Sequence, residues 1–272
     1  MGLTFFCPCS KSNCIRMKQL PLRDHMAEMY RLLTHAYDDE YELEPGWAAV
    51  GFGLKLAASV RDVDADTGYV EDPMMFAFCE PSGDYEDAGS EMASKYVAAA
   101  SIFNFLWQAY ELAVSLTEPE EMQGHIRNGR LGERGRRLFE THPEINVNFL
   151  GFDDALGMAR FYCRNGGLFD QRLSKLETRF PGSDFVAAAE LVREFRNFIA
   201  HGEDAVPDHP DWGNANVSTA QLARFYAVGR LLLFLIQAFL WHSISKTALI
   251  SDYWSDETEA YLQVERLHLR ST

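Results

Sequence analysis

The sequence predicts a mainly all-α protein, and three stretches carry that prediction. Ser90 to Leu116, S-E-M-A-S-K-Y-V-A-A-A-S-I-F-N-F-L-W-Q-A-Y-E-L-A-V-S-L, is rich in helix formers and apolar most of the way round, which marks a central helix. Phe185 to Gly202, F-V-A-A-A-E-L-V-R-E-F-R-N-F-I-A-H-G, has no interior Gly or Pro and meets a Gly where a helix should stop. A third helix, capped by Ser218 or Thr219 and running to about Ile250, repeats Leu222, Phe225, Tyr226, Leu232, Leu233, Ile236, Phe239 and Leu240 at helical spacing. No internal repeat is visible.

Taken in order, residues 1–20 read as a peripheral segment. Its C-P-C-S-K-S-N-C run (Cys7, Cys9, Cys14) resembles half of a metal knuckle. A structural zinc site needs four N or S donors and no nearby His or Cys completes this one, so an exposed tail without metal is expected. Residues 21–85 form an N-terminal region of no assigned role. It opens with an amphipathic helix, Met26, Met29, Tyr30, Leu33 and Tyr37 recurring at three and four. The acidic run Asp38 to Glu44 reads as a solvated face, and Pro45-Gly46 breaks the chain. Trp47 to Val60 suits a buried helix or a strand pair, and we favour the helix. The Pro/Gly/Asp stretch 81–89 is the expected linker to a helical domain over residues 86–250.

Within that domain, Asn104 and Glu111 are polar residues seven apart, so on one helix face. Residues 122–140 change character. Arg127, Arg130, Arg134, Arg136 and Arg137 face only Glu133 and Glu140, and Gly129, Gly132 and Gly135 suggest a mobile loop. This basic patch suits RNA phosphates, or pairs with the protein's own excess acid. Phe152 to Cys163 and Leu168 to Arg179 read as two helices split by Asn165-Gly166-Gly167, and Ser183 or Asp184 caps the next. After Gly202 a loop of two prolines leads to the final helix, and residues 251–272 are read as a tail.

Composition bounds what such a protein does. At 272 residues, 47% hydrophobic and 24% charged, the chain has enough apolar material for a sizeable core. A net charge of −15 argues against a protein that coats nucleic acid through its general field, while a local basic site stays open. The five cysteines make no disulfide framework, which points to a reducing compartment. No basic start followed by an apolar core marks a secretory signal, and the longest uncharged apolar run, Leu231 to Trp241, spans only roughly 16 Å as a helix. The expected location is the cytoplasm, with no membrane partner.

The candidate chemistry lies on the Phe185–Gly202 stretch. On a helical wheel Ala188, Leu191, Val192, Phe195, Phe198 and Ile199 share one broad face, and Glu190, Arg193, Glu194, Asn197 and His201 share the other. Arg196 flanks the apolar face, about 140° from His201 on an ideal helix. A helix C-terminus favours a protonated imidazole, and His beside Arg suits a phosphodiester: one moves a proton, the other holds a phosphate oxygen. The same residues also fit an inert helix end with solvated arginines. The phosphate loop, the dinucleotide fingerprint, H-E-x-x-H and the G-x-S-x-G elbow are all absent, so no cofactor or metal is expected.

Arg196-Asn197-Phe198-Ile199-Ala200-His201 resembles the R-x4-6-H motif of HEPN domains, with a polar residue directly after the Arg as that family prefers. The resemblance covers roughly residues 90–250. It implies an HEPN-like helical bundle there; the additional, largely helical N-terminal region, residues 1–85, lies outside the resemblance. It also implies a metal-independent endoribonuclease of toxin–antitoxin or antiphage type, acting on RNA as a homodimer. An antitoxin or sensor protein is implied as a further partner. In the implied site Arg196, Asn197 and His201 are catalytic, and Glu111, Arg193 and Asn104 are supporting. Two alternatives stand beside it: a non-catalytic HEPN-like module that binds RNA, a nucleotide or a partner protein, and a helical interaction protein in which Arg193 and Arg196 merely pair with Glu190 and Glu194.

Overall fold

The computed structural model describes residues 4–6, 16–35, 45–70, 80–117, 133–182, 184–244, 249–250 and 258–271. Among them the chain is mostly helical, as the periodicity predicts. Nine α-helices follow in order: α1 (Leu22–His35), α2 (Trp47–Ser59), α3 (Glu80–Thr117), α4 (Arg134–Thr141), α5 (Phe152–Asn165), α6 (Asp170–Arg179), α7 (Phe185–Ala200), α8 (Ala215–Ser243) and α9 (Ala260–Arg266). Five short strands accompany them: β1 (Thr4–Phe6), β2 (Arg16–Gln19), β3 (Leu249–Ile250), β4 (Thr258–Glu259) and β5 (Leu269–Ser271). They make an antiparallel sheet of order β1-β2-β5 and an antiparallel β3-β4 pair.

Helix α8 is the axis of the core. Every residue from Leu231 to Leu240 is buried, and α3, α5, α7, α1 and α9 all pack on it. A fully buried Leu, Ile or Phe side chain contributes about 1.5–3 kcal/mol, so this one segment anchors the fold. Aromatic pairs set the spacing of its neighbours. Phe139 stacks on Phe239 at 4.7 Å, Phe152 stacks on Phe185 at 4.2 Å, and Phe103 meets Phe195 edge-on at 5.1 Å. By length and composition α3 and α8 are both apolar enough to cross a membrane, and 72% of the apolar window of α8 is buried within the protein.

Several sequence expectations are corrected. The stretch 81–89 is not a linker: α3 runs unbroken from Glu80 to Thr117. Pro81 sits in the first turn, where its missing N–H costs no intrahelical bond. Helix α2 packs along α3, so residues 47–59 share the core of the larger bundle. The described parts of the two end segments, 4–6, 16–20 and 258–271, are not simple tails. Strand β2 pairs with β5, Gln19 and Leu20 are buried, and so are Val264 and His268. Helix α8 is capped by Asn214, whose side chain accepts from Asn216 and Val217 N–H, and it ends at Ser243 rather than near Ile250. Tyr226, expected in its core stripe, is exposed. The acidic run 38–44 and Cys7, Cys9, Cys14 and Cys79 lie outside the described residues.

The terminal segments are tied in by buried hydrogen bonds. Arg230 donates from Nη1 to His25 Nδ1 (2.9 Å) and from Nη2 to the Leu20 carbonyl (2.7 Å). Because Arg only donates, His25 Nδ1 must accept, so Nε2 carries the proton and donates to Gln237 Oε1 at 2.9 Å. Gln237 Nε2 donates to the Val264 carbonyl (2.6 Å) and to His268 Nδ1 (3.1 Å), and His268 Nε2 donates to the Leu150 carbonyl (2.8 Å). Burial holds His25 well below its ordinary pKa and takes His268 down to about 4, with the Arg230 charge adding to both. Burial lowers Arg230 to about 10. The chain thus links Leu20 just after β2, α1, α8, α9 and the turn before α5 through two neutral imidazoles.

Candidate functional site

Helix α7 starts at Asp184, whose carboxylate accepts from Ala187 N–H at 2.9 Å. Ser183, the other expected cap, lies outside the described residues. Its end is a Schellman turn. Glu203 N–H donates to Phe198 O (3.2 Å), Gly202 N–H donates to Ile199 O (3.0 Å), and Gly202 takes φ +66°. His201 is the residue at the C-cap, with φ −88° and ψ 4°, and its side chain is exposed. The chain leaves the helix at the motif histidine, because only the left-handed glycine beyond it lets both capping bonds form.

The apolar face of α7 seats the motif. Phe195 and Phe198 are buried against Phe169 and Phe225, and the guanidinium of fully buried Arg224 lies 5.4 Å from the Phe198 ring centroid. Arg224 donates to the Gly166 carbonyl at 2.6 Å and pairs with Asp204. Asp204 follows the motif by three residues, so this buried pair pins the loop that leaves His201. Burial, above all, pushes the Asp204 carboxyl up, and Arg224 opposes it.

The two arginines on α7 have different fates. Arg193 makes a forked pair with Glu190 (2.9 and 2.6 Å) and a further contact with Glu194. Hydrogen bonding to Glu190, first among the causes, holds its pKa above the ordinary value. Glu190, expected on the open face, is buried, and Arg136 Nε approaches it at 3.5 Å. Arg193 is therefore a structural cation rather than an open phosphate ligand. Arg196 has no carboxylate partner among the described residues; its guanidinium lies 5.7 Å from the centre of the Trp107 ring on α3. The side chain of Asn197, half-buried, makes no hydrogen bond among the described residues.

That contact brings the motif to the α3 face that carries the other predicted residues. Asn104 and Glu111 lie three and four residues either side of Trp107, and both are exposed rather than enclosed. Trp107, Tyr110 and Glu111 line a cavity of about 440 Å³ together with Gln108, Arg134 and Gly135. Burial, then the nearby carboxylates of Glu190 and Glu111, push the Tyr110 phenol up, so it remains a hydrogen-bond donor. Gly135 is fixed by this packing: a Cβ there would fall 2.0 Å from Tyr110 Oη.

The expected basic patch is partly accounted for. Arg127 and Arg130, with Gly129 and Gly132, lie outside the described residues. Arg134, Arg136 and Arg137 belong to α4, not to a mobile loop. Arg136 pairs with Glu140 and Glu190, and Arg137 Nη2 is 3.2 Å from Glu133. Across α7, Arg172 pairs with Glu194 (3.4 Å) and with Glu203. His209, which the sequence places in the loop after the motif, lies 3.8 Å from Glu91 and 3.7 Å from Asp211. Among the described residues no three His, Cys, Asp or Glu side chains are grouped as metal ligands.

Three features escape sequence reasoning. Trp107 looks like one more core aromatic until Arg196 is seen over it. Glu190 reads as solvent-facing on a wheel, although its spacing of three to Arg193 signals the pairing. Asp204 and Arg224 meet only through the fold. Comparison of the chain with protein-family models, with curated proteins and with solved structures gives no match.

Proposed function

We propose that this chain is a metal-independent endoribonuclease of the HEPN type, a toxin or antiphage effector that works in the cytoplasm as a homodimer. One observation carries the reading. On a helix where Arg193 is committed to carboxylates, and beside Arg136, Arg137 and Arg172 that are likewise committed, Arg196 has no anionic partner and Asn197 and His201 have no side-chain partner among the described residues. A cation held over an aromatic ring rather than over a carboxylate keeps its hydrogen-bond donors for an incoming anion.

In the proposed reaction the RNA 2′-hydroxyl attacks the adjacent phosphorus and the P–O5′ bond breaks. A His201 imidazole takes the 2′-proton and an imidazolium supplies one to the departing 5′-oxygen, leaving a 2′,3′-cyclic phosphate and a 5′-hydroxyl. Arg196 stabilises charge on the phosphorane oxygens, and Asn197 orients the phosphate. Arg196 lies against α3 and His201 lies beyond the last helical turn, so two copies of α7 meeting face to face would supply the acid and base separately. Arg193 and Arg136 hold the scaffold through Glu190 and do not touch substrate.

His201→Ala and Arg196→Ala should each reduce RNA cleavage by 10²-fold or more in buffer containing EDTA, with unchanged circular dichroism. Cleavage at the wild-type rate by His201→Ala would overturn the assignment. Salt-sensitive RNA binding without cleavage by the wild type would favour the non-catalytic module instead.

A further inference from the structure

The cavity beside Trp107 has a composition that neither the fold nor the proposed phosphate chemistry requires. Two largely buried aromatic residues, Trp107 and Tyr110, with ring centres 5.4 Å apart, form part of its wall. They are fixed by packing, so the wall is preformed. Glu111 brings an exposed carboxylate to it, one turn along α3 from Trp107. The indole N–H of Trp107 is buried and finds no acceptor among the described residues. At about 440 Å³ the cavity is within the roughly 300–1,000 Å³ range of small-molecule sites.

We propose that this cavity seats a guanine base of the RNA, next to the phosphate held by Arg196. The proposal rests on the ribonuclease reading for its source of guanine. Guanine alone among the four RNA bases presents two adjacent N–H donors, N1–H and the exocyclic amino group, which match the two oxygens of one carboxylate. Adenine, cytosine and uracil would each set an acceptor against Glu111, where two negative dipoles oppose. A cationic ligand is disfavoured because Arg134 lines the cavity and Arg196 adjoins it through Trp107. The neutral base enters among the aromatic side chains and its phosphate remains beside Arg196, one Trp107 ring away.

The test separates this proposal from the one it rests on. Guanosine, inosine and adenosine 3′-monophosphates are titrated calorimetrically into the wild type, Glu111→Gln and His201→Ala. The guanosine nucleotide should bind about tenfold or more tightly than the adenosine one, and inosine, lacking the exocyclic amine, should fall between. Glu111→Gln should abolish the preference and His201→Ala should keep it. Equal binding of the three nucleotides, no binding, or a preference that survives Glu111→Gln would overturn the guanine site whatever the cleavage assay shows. A uridine oligomer with one central guanosine should outcompete the same oligomer with adenosine; if only the free nucleotide discriminates, RNA is not the source. Failure of His201→Ala to affect cleavage would remove the ribonuclease reading and leave the nucleotide titration to judge the cavity alone.

Discussion

Acid should loosen this protein through its two buried histidines, and His268 allows the size to be worked out. In the folded chain Nε2–H of His268 donates to the Leu150 carbonyl and Nδ1 accepts from Gln237, so a second proton has no acceptor to meet. Burial takes its pKa from 6.5 to about 4. Between these values the unfolded chain binds a proton that the folded chain refuses, so stability is full above pH 6.5 and falls as pH drops toward 4. From pH 7.5 to 4.5 this one group removes about 2.5 kcal/mol, at about 1.4 kcal/mol per pH unit. Urea unfolding at the two pH values measures the total, to which the acidic side chains also contribute. His268→Gln isolates the group, because a Gln amide can still accept from Gln237 and donate to the Leu150 carbonyl but does not titrate. The wild type should lose about 2–3 kcal/mol more than His268→Gln over this range. Identical pH dependence of the two proteins would refute the neutral-imidazole chain.

Two further perturbations address the helix that carries the motif. Gly202→Ala meets no neighbouring atom but must adopt φ +66°, so it should cost about 1–2 kcal/mol in urea unfolding, and Gly202→Asn less; an unchanged midpoint for the Ala variant would remove the Schellman turn. Glu190→Ala removes the buried carboxylate that Arg193 and Arg136 share, leaving them only Glu194 and Glu140, and should cost about 2–3 kcal/mol, whereas Glu140→Ala on the more exposed side should cost under about 1 kcal/mol; similar effects of the two would show that the Glu190 cluster is solvated.

Much of the fold was legible because helix formation is local. The α7 boundaries, the Asp184 cap and the stop at Gly202 follow from neighbours within four residues, and so does the apolar run of α8. The linker reading failed because Pro, Gly and Asp are helix breakers only on average. Pro81 occupies the first helical turn, where it is tolerated, and contacts of Glu86 and Ser90 with Thr67 hold the helix through Gly83 and Gly89. The β2–β5 pairing was invisible for the opposite reason: the strands are four and three residues long, and their pairing spans some 250 residues. The candidate site divides the same way. Arg193 and its carboxylates are spaced three and one residues apart and could be read as a pair, while Arg196 and Trp107 meet only once α3 and α7 are packed.

The buried hydrogen-bond chain has a direction, and that direction carries information. It begins at Arg230, which has only donors, and ends at the Leu150 carbonyl, which has only acceptors. Every group between is thereby oriented: the tautomer of His25, the amide of Gln237 and the tautomer of His268 each have one allowed state. A terminal segment docked out of register would set donor against donor somewhere along this line, among the fully buried side chains of His25, Gln237 and His268. Hydrophobic contacts would accept several such misdockings at similar cost. The polarity of five linked groups instead acts as a key with a single fit, so the segments containing Leu20 and His268 are sorted by proton placement rather than by shape.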